Sequence, residues 1–199
     1  MGRLITITGV SGAGKTTFAH RLGEITGLPV FAEQHNERPF HANAANGVSV
    51  LANQIDYLMY RSEQERDIRR MEKGGIIDGG METDYHIFSK LFHQRELLSQ
   101  PEFDLCTRFF TLIRSLLPPP EIIICLLIPI DVAAHRYQLR NRKVEIARMD
   151  DLQLQQSLLD CWLGNEEVNR IIRIDASTDD ILYSSAIEQV MDSLDQPDE

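Results

Sequence analysis

Arg3-Leu4-Ile5-Thr6-Ile7-Thr8 runs directly into Gly9-Val10-Ser11-Gly12-Ala13-Gly14-Lys15-Thr16, and the junction of these two stretches decides the fold. The first is apolar and β-branched, which predicts a buried strand. The second fits G-x-x-x-x-G-K-[ST], a pattern that acquires meaning only between a strand and a helix. A helix is predicted to follow from Lys15 to about Ile25, with Phe18, Leu22 and Ile25 at helical spacing and Gly27 ending it. Glycines 9, 12 and 14 let the backbone curl so that successive N–H groups converge on phosphate oxygens. The positive end of the helix points at the same spot.

Such a loop implies a nucleoside triphosphate. Gly9, Val10, Ser11, Gly12, Ala13, Gly14, Lys15, Thr16 and Thr17 form the expected ATP-binding segment. Lys15 is the mobile cation for the β- and γ-phosphates, and the Thr16 hydroxyl is placed to ligate Mg²⁺.

Working outward, Leu28-Pro29-Val30-Phe31 reads as a second short strand, and Glu33 to Gly47 as a long polar loop. Val48 to Glu72 is predicted to be a long helix with Leu51, Ile55, Leu58 and Met59 on one side. Gly74-Gly75 stops it, and Ile76-Ile77-Asp78 is a third strand closing on a carboxylate. Ligands gather at the carboxyl ends of strands in α/β sheets, so Asp78 is a candidate for the Mg²⁺ shell. The competing reading makes it the cap of the Gly79-Gly80 turn. Helical patterns then cover Tyr85–Leu98 and Glu102–Leu117 before Pro118-Pro119-Pro120 breaks the chain. A strand Ile122–Leu127, helices Asp131–Arg142 and Asp150 to about Glu167, a strand Ile171–Ile174 and a helix Asp179–Leu194 complete it. Alternating strands and helices imply parallel pairing.

Composition narrows the function. The chain has 199 residues, enough for one domain, and 20 basic against 30 acidic residues give a net charge of −10. That charge is a poor footprint for gripping a nucleic-acid backbone. The apolar run Ile122–Ile128 is far short of the about 20 residues needed to span a bilayer. Cys106, Cys125 and Cys161 are scattered and read as buried, reduced thiols, and His86, His93 and His135 lack metal-ligand spacing. With the phosphate loop beginning within the first ten residues, a cytoplasmic chain that binds neither membrane nor nucleic acid is expected.

The order of motifs resembles the deoxynucleoside kinase family along most of the chain. Phe31-Ala32-Glu33 followed by Asn36-Glu37-Arg38-Pro39-Phe40 is similar to the family's segment after the second strand, and the resemblance implies that Glu33 is the general base towards a sugar 5′-hydroxyl. His35 and Glu37 are rival bases. Gln54 and Asp84 match the family's nucleobase readers. Tyr57, Phe88 and Phe110 read as core aromatics, with stacking on a base as the alternative. Pro118 to Ile123 resembles the run into the fourth strand. His135-Arg136-Tyr137-Gln138-Leu139-Arg140-Asn141-Arg142 resembles the lid, about residues 136–149, with Glu145 matching a glutamate that contacts the sugar 3′-hydroxyl. Arg136 and Arg140 share a helix face, and such arginines stabilise charge on a phosphoryl group in flight; a solvated basic face is the plainer reading. One segment departs: where the family carries an acid, then Arg, then Ser, this chain reads Asp78-Gly79-Gly80. Arg136 or Arg38 is a candidate to stand in for the missing arginine.

The expectation is therefore a three-layer α/β/α P-loop NTPase sandwich, with a parallel five-stranded sheet and a helical lid, in a single domain spanning 1–199. Its reaction would be in-line transfer of the ATP γ-phosphoryl to a deoxynucleoside, with Mg²⁺ as cofactor and Glu33, Lys15, Arg136, Arg140 and Arg142 as catalytic groups. Glu33, Gln54, Asp84 and Glu145 would bind the acceptor, Thr16 and Asp78 the metal. The resemblance also implies a homodimer paired through the stretch Val48–Arg69. A nucleoside monophosphate or other small-molecule kinase, with Arg38 and Arg61 facing the extra phosphate, remains open. So does a catalytically impaired nucleotide-binding regulatory subunit; a P-loop switch fits the substrate-loop-plus-lid layout less well.

Overall fold

The computed structural model describes residues 2–33, 38–139, 146–165, 170–177 and 183–195. Five strands, β1 (Leu4–Thr8), β2 (Val30–Phe31), β3 (Gly75–Asp78), β4 (Ile122–Leu127) and β5 (Ile171–Asp175), form one parallel sheet in the order β2-β3-β1-β4-β5. Every paired neighbour is parallel. The parallel pairing agrees with the sequence, since near-continuous Ile and Leu runs suit strands covered on both faces. The sheet reverses its build direction at β1, which creates a crevice at the carboxyl end of that strand.

Helices cover both faces. Helix α1 (Lys15–Thr26) packs Phe18, Ala19 and Leu22 into the main core with Ile5, Ile7 and Ile76, while Ile25 is left exposed. Gly27 ends α1 in the left-handed conformation, its N–H donating to Gly23 O. Helix α3 (Val50–Arg70) puts Ile68 against Leu4 and Ile77 on the opposite face. After β3 come α4 (Gly80–Thr83), a π-helical turn (Asp84–Ser89), α5 (Lys90–Gln94) and α6 (Gln100–Leu116); after β4 come α7 (Ile130–Leu139), a 3₁₀ turn (Met149–Asp151) and α8 (Leu152–Asn165). Helix α9 (Ser184–Asp195) closes the domain.

Several expectations are corrected. The polar stretch 33–47 contains a one-turn helix α2 (His41–Ala45), because the alanines there allow local hydrogen bonding. The helical pattern begins at Gly80, directly after β3, and not at Tyr85; the π turn widens it and is invisible to 3.6-residue periodicity. That stretch stops at Gln94 rather than at Leu98. Cys161 is exposed, whereas Cys106 and Cys125 are buried. The C-terminal ends of the predicted Asp131–Arg142 and Asp150–Glu167 helices, and the start of the last one, lie outside the described residues.

The long helix departs most. Met59 is 52% exposed, but Leu58 is buried and Leu51 and Ile55 pack against the same core cluster, and the buried face also carries Gln54, Tyr57, Arg61, Gln64 and Ile68. Buried charges there are held by partners. Arg114 of α6 binds Glu65 of α3 at 2.6 Å and Glu82 of α4 at 2.8 Å. Arg69 donates to Glu121 and to the carbonyls of Pro118 and Pro119, fixing the proline run that leads into β4. Among the described residues no helix is long and apolar enough to cross a membrane.

Candidate active site

Three neighbouring strands end on the residues that matter. The phosphate loop leaves β1; Asp78 is the last residue of β3 and stands level with Ile7. Gly79 N donates to Ile7 O at 2.9 Å, so the β3 end is stitched to β1 one turn before the loop. Phe31 of β2 pairs with Ile77, which brings Glu33, two residues on, to the same edge. A loop for phosphate and two carboxylates thus come side by side because the strand order is β2-β3-β1.

The loop closes on itself and on its neighbours. Lys15 Nζ donates to Gly9 O and Val10 O at 3.0 Å, and the Ala13 amide to Val10 O at 3.1 Å. The Ser11 amide is bound by Gln155 Oε1 of α8 at 2.9 Å, so Ser11 shapes the loop through α8 rather than offering that N–H to a phosphate. A Cβ at Gly12, whose φ is +86°, would meet Ala133 O of α7 at 2.5 Å; only glycine lets α7 rest on the loop. Thr16 Oγ1 donates to Asp78 Oδ2 at 2.5 Å, which unites the two residues expected at a metal. Thr17 is exposed.

The side on which the acceptor residues are expected is built from α3. Gln54, Tyr57, Arg61 and Gln64 follow one another at three- and four-residue steps along its buried face. Gln54 Nε2 donates to the Asp84 carbonyl at 2.8 Å. Arg61, 1% exposed, donates from Nε to Asp84 Oδ2 at 3.0 Å and from Nη1 to Gln64 Oε1 at 3.0 Å, while Nη2 lies 3.6 Å from Glu33 Oε1. Gln64 passes the network on to Tyr60 and the Ala32 carbonyl. Burial opposes the Arg61 charge, but Asp84, Glu33 and Asp78 outweigh it and hold the guanidinium above its usual value. Burial, aided by Glu33 and Asp84, raises the Tyr57 phenol, which therefore stays protonated. Tyr57 is buried, in keeping with the core reading. Tyr85 and Phe110 stack at 4.1 Å in a second core beneath, which also takes in Phe88.

The residues proposed to stand in for the missing arginine do otherwise. Arg38 pairs with Asp56 at 2.8 Å and covers the Tyr60 ring. Arg136 donates to the carbonyls of Ala176 and Ser177, after β5. Arg140, Arg142 and Glu145, like the rival bases His35 and Glu37, lie outside the described residues. The place beside Gly79 is filled by Arg61: a Cβ there would lie 3.1 Å from its Nη2. Sequence reading had singled out Arg61 only for an extra phosphate; the available signal was its seven-residue step from Gln54, which keeps both on one helix face.

The sequence profile of the family described as deoxynucleoside kinase matches residues 5–196. The chain belongs to the deoxynucleoside kinase family. Its sequence is 27% identical over 146 residues to a deoxyadenosine kinase of Dictyostelium discoideum, covering 72% of this chain but only 59% of that relative. It is 24% identical over 197 residues to a deoxyguanosine kinase of Bacillus subtilis (strain 168), covering 94% and 93%. The fold is that of a deoxyadenosine kinase from M. mycoides. The structure of that enzyme with bound dCTP superposes with a TM-score of 0.81 at 21% identity, over 96% of this chain and 98% of that one. The structure with bound dATP gives 0.81 at 22% identity, over 97% and 100%.

Proposed function

We propose that this member of the deoxynucleoside kinase family transfers the γ-phosphoryl group of ATP to the 5′-hydroxyl of a deoxynucleoside, with Glu33 as general base. The observation that carries the reading is the alignment of the phosphate loop, Asp78 and Glu33 on three consecutive strand ends. A triphosphate tail in the loop and a sugar hydroxyl at Glu33 would meet over β3, and holding reactants in line supplies much of the rate enhancement. Lys15 would leave its two loop carbonyls for the phosphates. Gln54 and the Asp84–Arg61 pair would face the base, Glu145 the sugar, and Arg136, Arg140 and Arg142 would cover the phosphoryl group. Both relatives found by sequence are purine kinases by name, so a purine deoxynucleoside is the preferred acceptor.

Thr16 and Asp78 present a hydroxyl and a carboxylate oxygen 2.5 Å apart at the loop mouth, a hard-oxygen set that fits Mg²⁺. When bound, the ion would neutralise charge on the phosphates. A homodimer belongs to the proposal: Met59 on α3 and Leu105, Leu112 and Leu116 on the adjoining α6 are exposed large apolar side chains, the three leucines at seven- and four-residue spacing. A cytoplasmic location accords with three free thiols.

The test is phosphoryl transfer from ATP to the four deoxynucleosides, each with the unaltered chain and with Glu33→Gln. Transfer to a purine deoxynucleoside that falls about 1,000-fold in the variant is expected. ATP binding without transfer to any of the four would refute the reading and favour a regulatory subunit.

A further inference from the structure

Gly79 and Gly80 leave the end of β3 without side chains, and three carboxylates, Asp84, Glu33 and Asp78, act on the Arg61 guanidinium there. Asp78 and Asp84 flank the glycines, and Glu33 faces them from the β2 end. Carboxylates this close repel, and one that is to act as a base must nevertheless remain ionised. A cation beside such a base favours its ionised form, and the backbone lets Arg61 supply it: Gly79 adopts φ +91°, which side chains rarely allow, and a Cβ there would lie only 3.1 Å from Arg61 Nη2. Arg61 comes from α3, nearly two turns after Gln54. Its guanidinium is fully buried and held on two sides, by Asp84 at 3.0 Å and Gln64 at 3.0 Å. Its third nitrogen is thereby directed at Glu33, 3.6 Å away. An arginine locked by two partners loses little further freedom when it meets a third, so it is a pre-organised clamp.

We propose that Arg61 is the positioning residue for Glu33, holding that carboxylate ionised and directed into the cleft from α3, across a strand end that Gly79 leaves open. This rests on Glu33 being the base proposed above. Arg61 does two jobs at once: Nε fixes the Asp84 carboxylate while Nη2 fixes the Glu33 carboxylate, so the base-reading end and the reacting end of an acceptor are tied through one rigid plane. Among the described residues, the charged and titratable groups of this neighbourhood include Arg61 and Tyr57 from α3, Arg38 from the loop before α2, Asp78 at the end of β3 and Asp84 in the π turn. Of these, Arg38 is held by Asp56, while Arg61 Nη2 lies 3.6 Å from Glu33 Oε1, so Arg61 is the cation that α3 brings to Glu33.

The experiment compares single-turnover rates against pH, at saturating ATP and with the deoxynucleoside turned over fastest among the four, for the full chain, Arg61→Gln and Arg61→Lys. Removing the cation raises the pH at which Glu33 becomes ionised. Arg61→Gln is therefore expected to react about 100-fold more slowly, with its acid limb displaced upward by about one pH unit and ATP affinity unchanged. Arg61→Lys retains the charge and is expected to keep the limb at its original pH. An Arg61→Gln limb that does not move overturns the proposal whatever the rate or KM, since Arg61 would then serve Asp84 alone. If Arg61→Gln fails to fold, Arg61→Gln/Asp84→Asn neutralises both halves of the buried pair and carries the same pH readout. Glu33→Gln is the separate arm. Near-normal turnover there removes the base reading itself, whereas an inactive Glu33→Gln beside an unmoved Arg61→Gln limb removes only this inference.

Discussion

The donor end and the acceptor end of the cleft are made in opposite ways. The donor end is a contiguous loop, Gly9–Thr16, whose polar work falls to backbone groups, a helix terminus and Lys15, which turns to two carbonyls of its own loop. The acceptor end is drawn from Glu33, from four residues spread along α3 and from Asp84 after β3, and it depends on a charged side chain buried to 1% exposure. A backbone cradle satisfies itself in the absence of ligand. A side-chain cradle is held only while each charge keeps its partner. Substitutions at the first should therefore remove chemistry and leave the fold intact, while substitutions at the second should disturb both.

The sharpest break is Asp84→Ala. It strips Arg61 of its 3.0 Å carboxylate and leaves a buried guanidinium with the neutral Gln64 and with Glu33 at 3.6 Å, so a loss of about 3 kcal/mol in unfolding free energy is expected by denaturant titration. Converting the pair together, Arg61→Met/Asp84→Leu, should recover more than half of that loss; no recovery would mean the pair is not what holds α3 to the π turn. At the donor end, Lys15→Ala is expected to lower kcat/KM at least about 100-fold, while the thermal midpoint moves by no more than about 2 °C. Equal turnover with and without Lys15 would remove the phosphate-loop reading altogether.

A smaller effect lies beneath the acceptor end. His86 stacks on Trp162 at 5.1 Å and takes the Lys90 ammonium at Nδ1, 3.4 Å away. Burial, then Lys90 and Arg114, push its pKa down to about 3 from the ordinary 6.5. Below pH 6.5 the unfolded chain takes up a proton that the folded chain refuses, so folding stability falls as pH drops from about 6.5 towards 3. The slope approaches about 1.4 kcal/mol per pH unit from this residue. His86→Phe should flatten that part of the stability profile; an unchanged slope would show that other groups govern it.

The contrast between the two ends also explains what could be read in advance. The strands, the loop and α1 were legible because a single local rule governs each: β-branched runs for covered parallel strands, a fixed glycine spacing for the cradle, Gly27 at the helix end. The buried side of helix α3 is legible in part, since Leu51, Ile55 and Leu58 do pack inward. A search for apolar periodicity selected Met59, which is exposed, and passed over Arg61, because a helix face that lines a polar site is buried without being apolar. The π turn at Asp84–Ser89 shifted the helix start for a related reason: its period is not the one sought. Gln155 could not be assigned to the loop from sequence, since its link to Ser11 crosses 144 residues and follows no spacing rule.

By itself, the sequence determined that a phosphate-loop pattern stands after the first strand, that five strands alternate with helices, that Asp78 closes one strand and that Glu33 follows another by two residues. Local sterics and hydrogen-bonding needs act over a few residues, so a few residues encode them. Tertiary structure alone decided which cation faces those carboxylates. That choice depended on strand order, on the missing side chain at Gly79, and on the face α3 turns inward, and each is set by packing between segments distant in the chain.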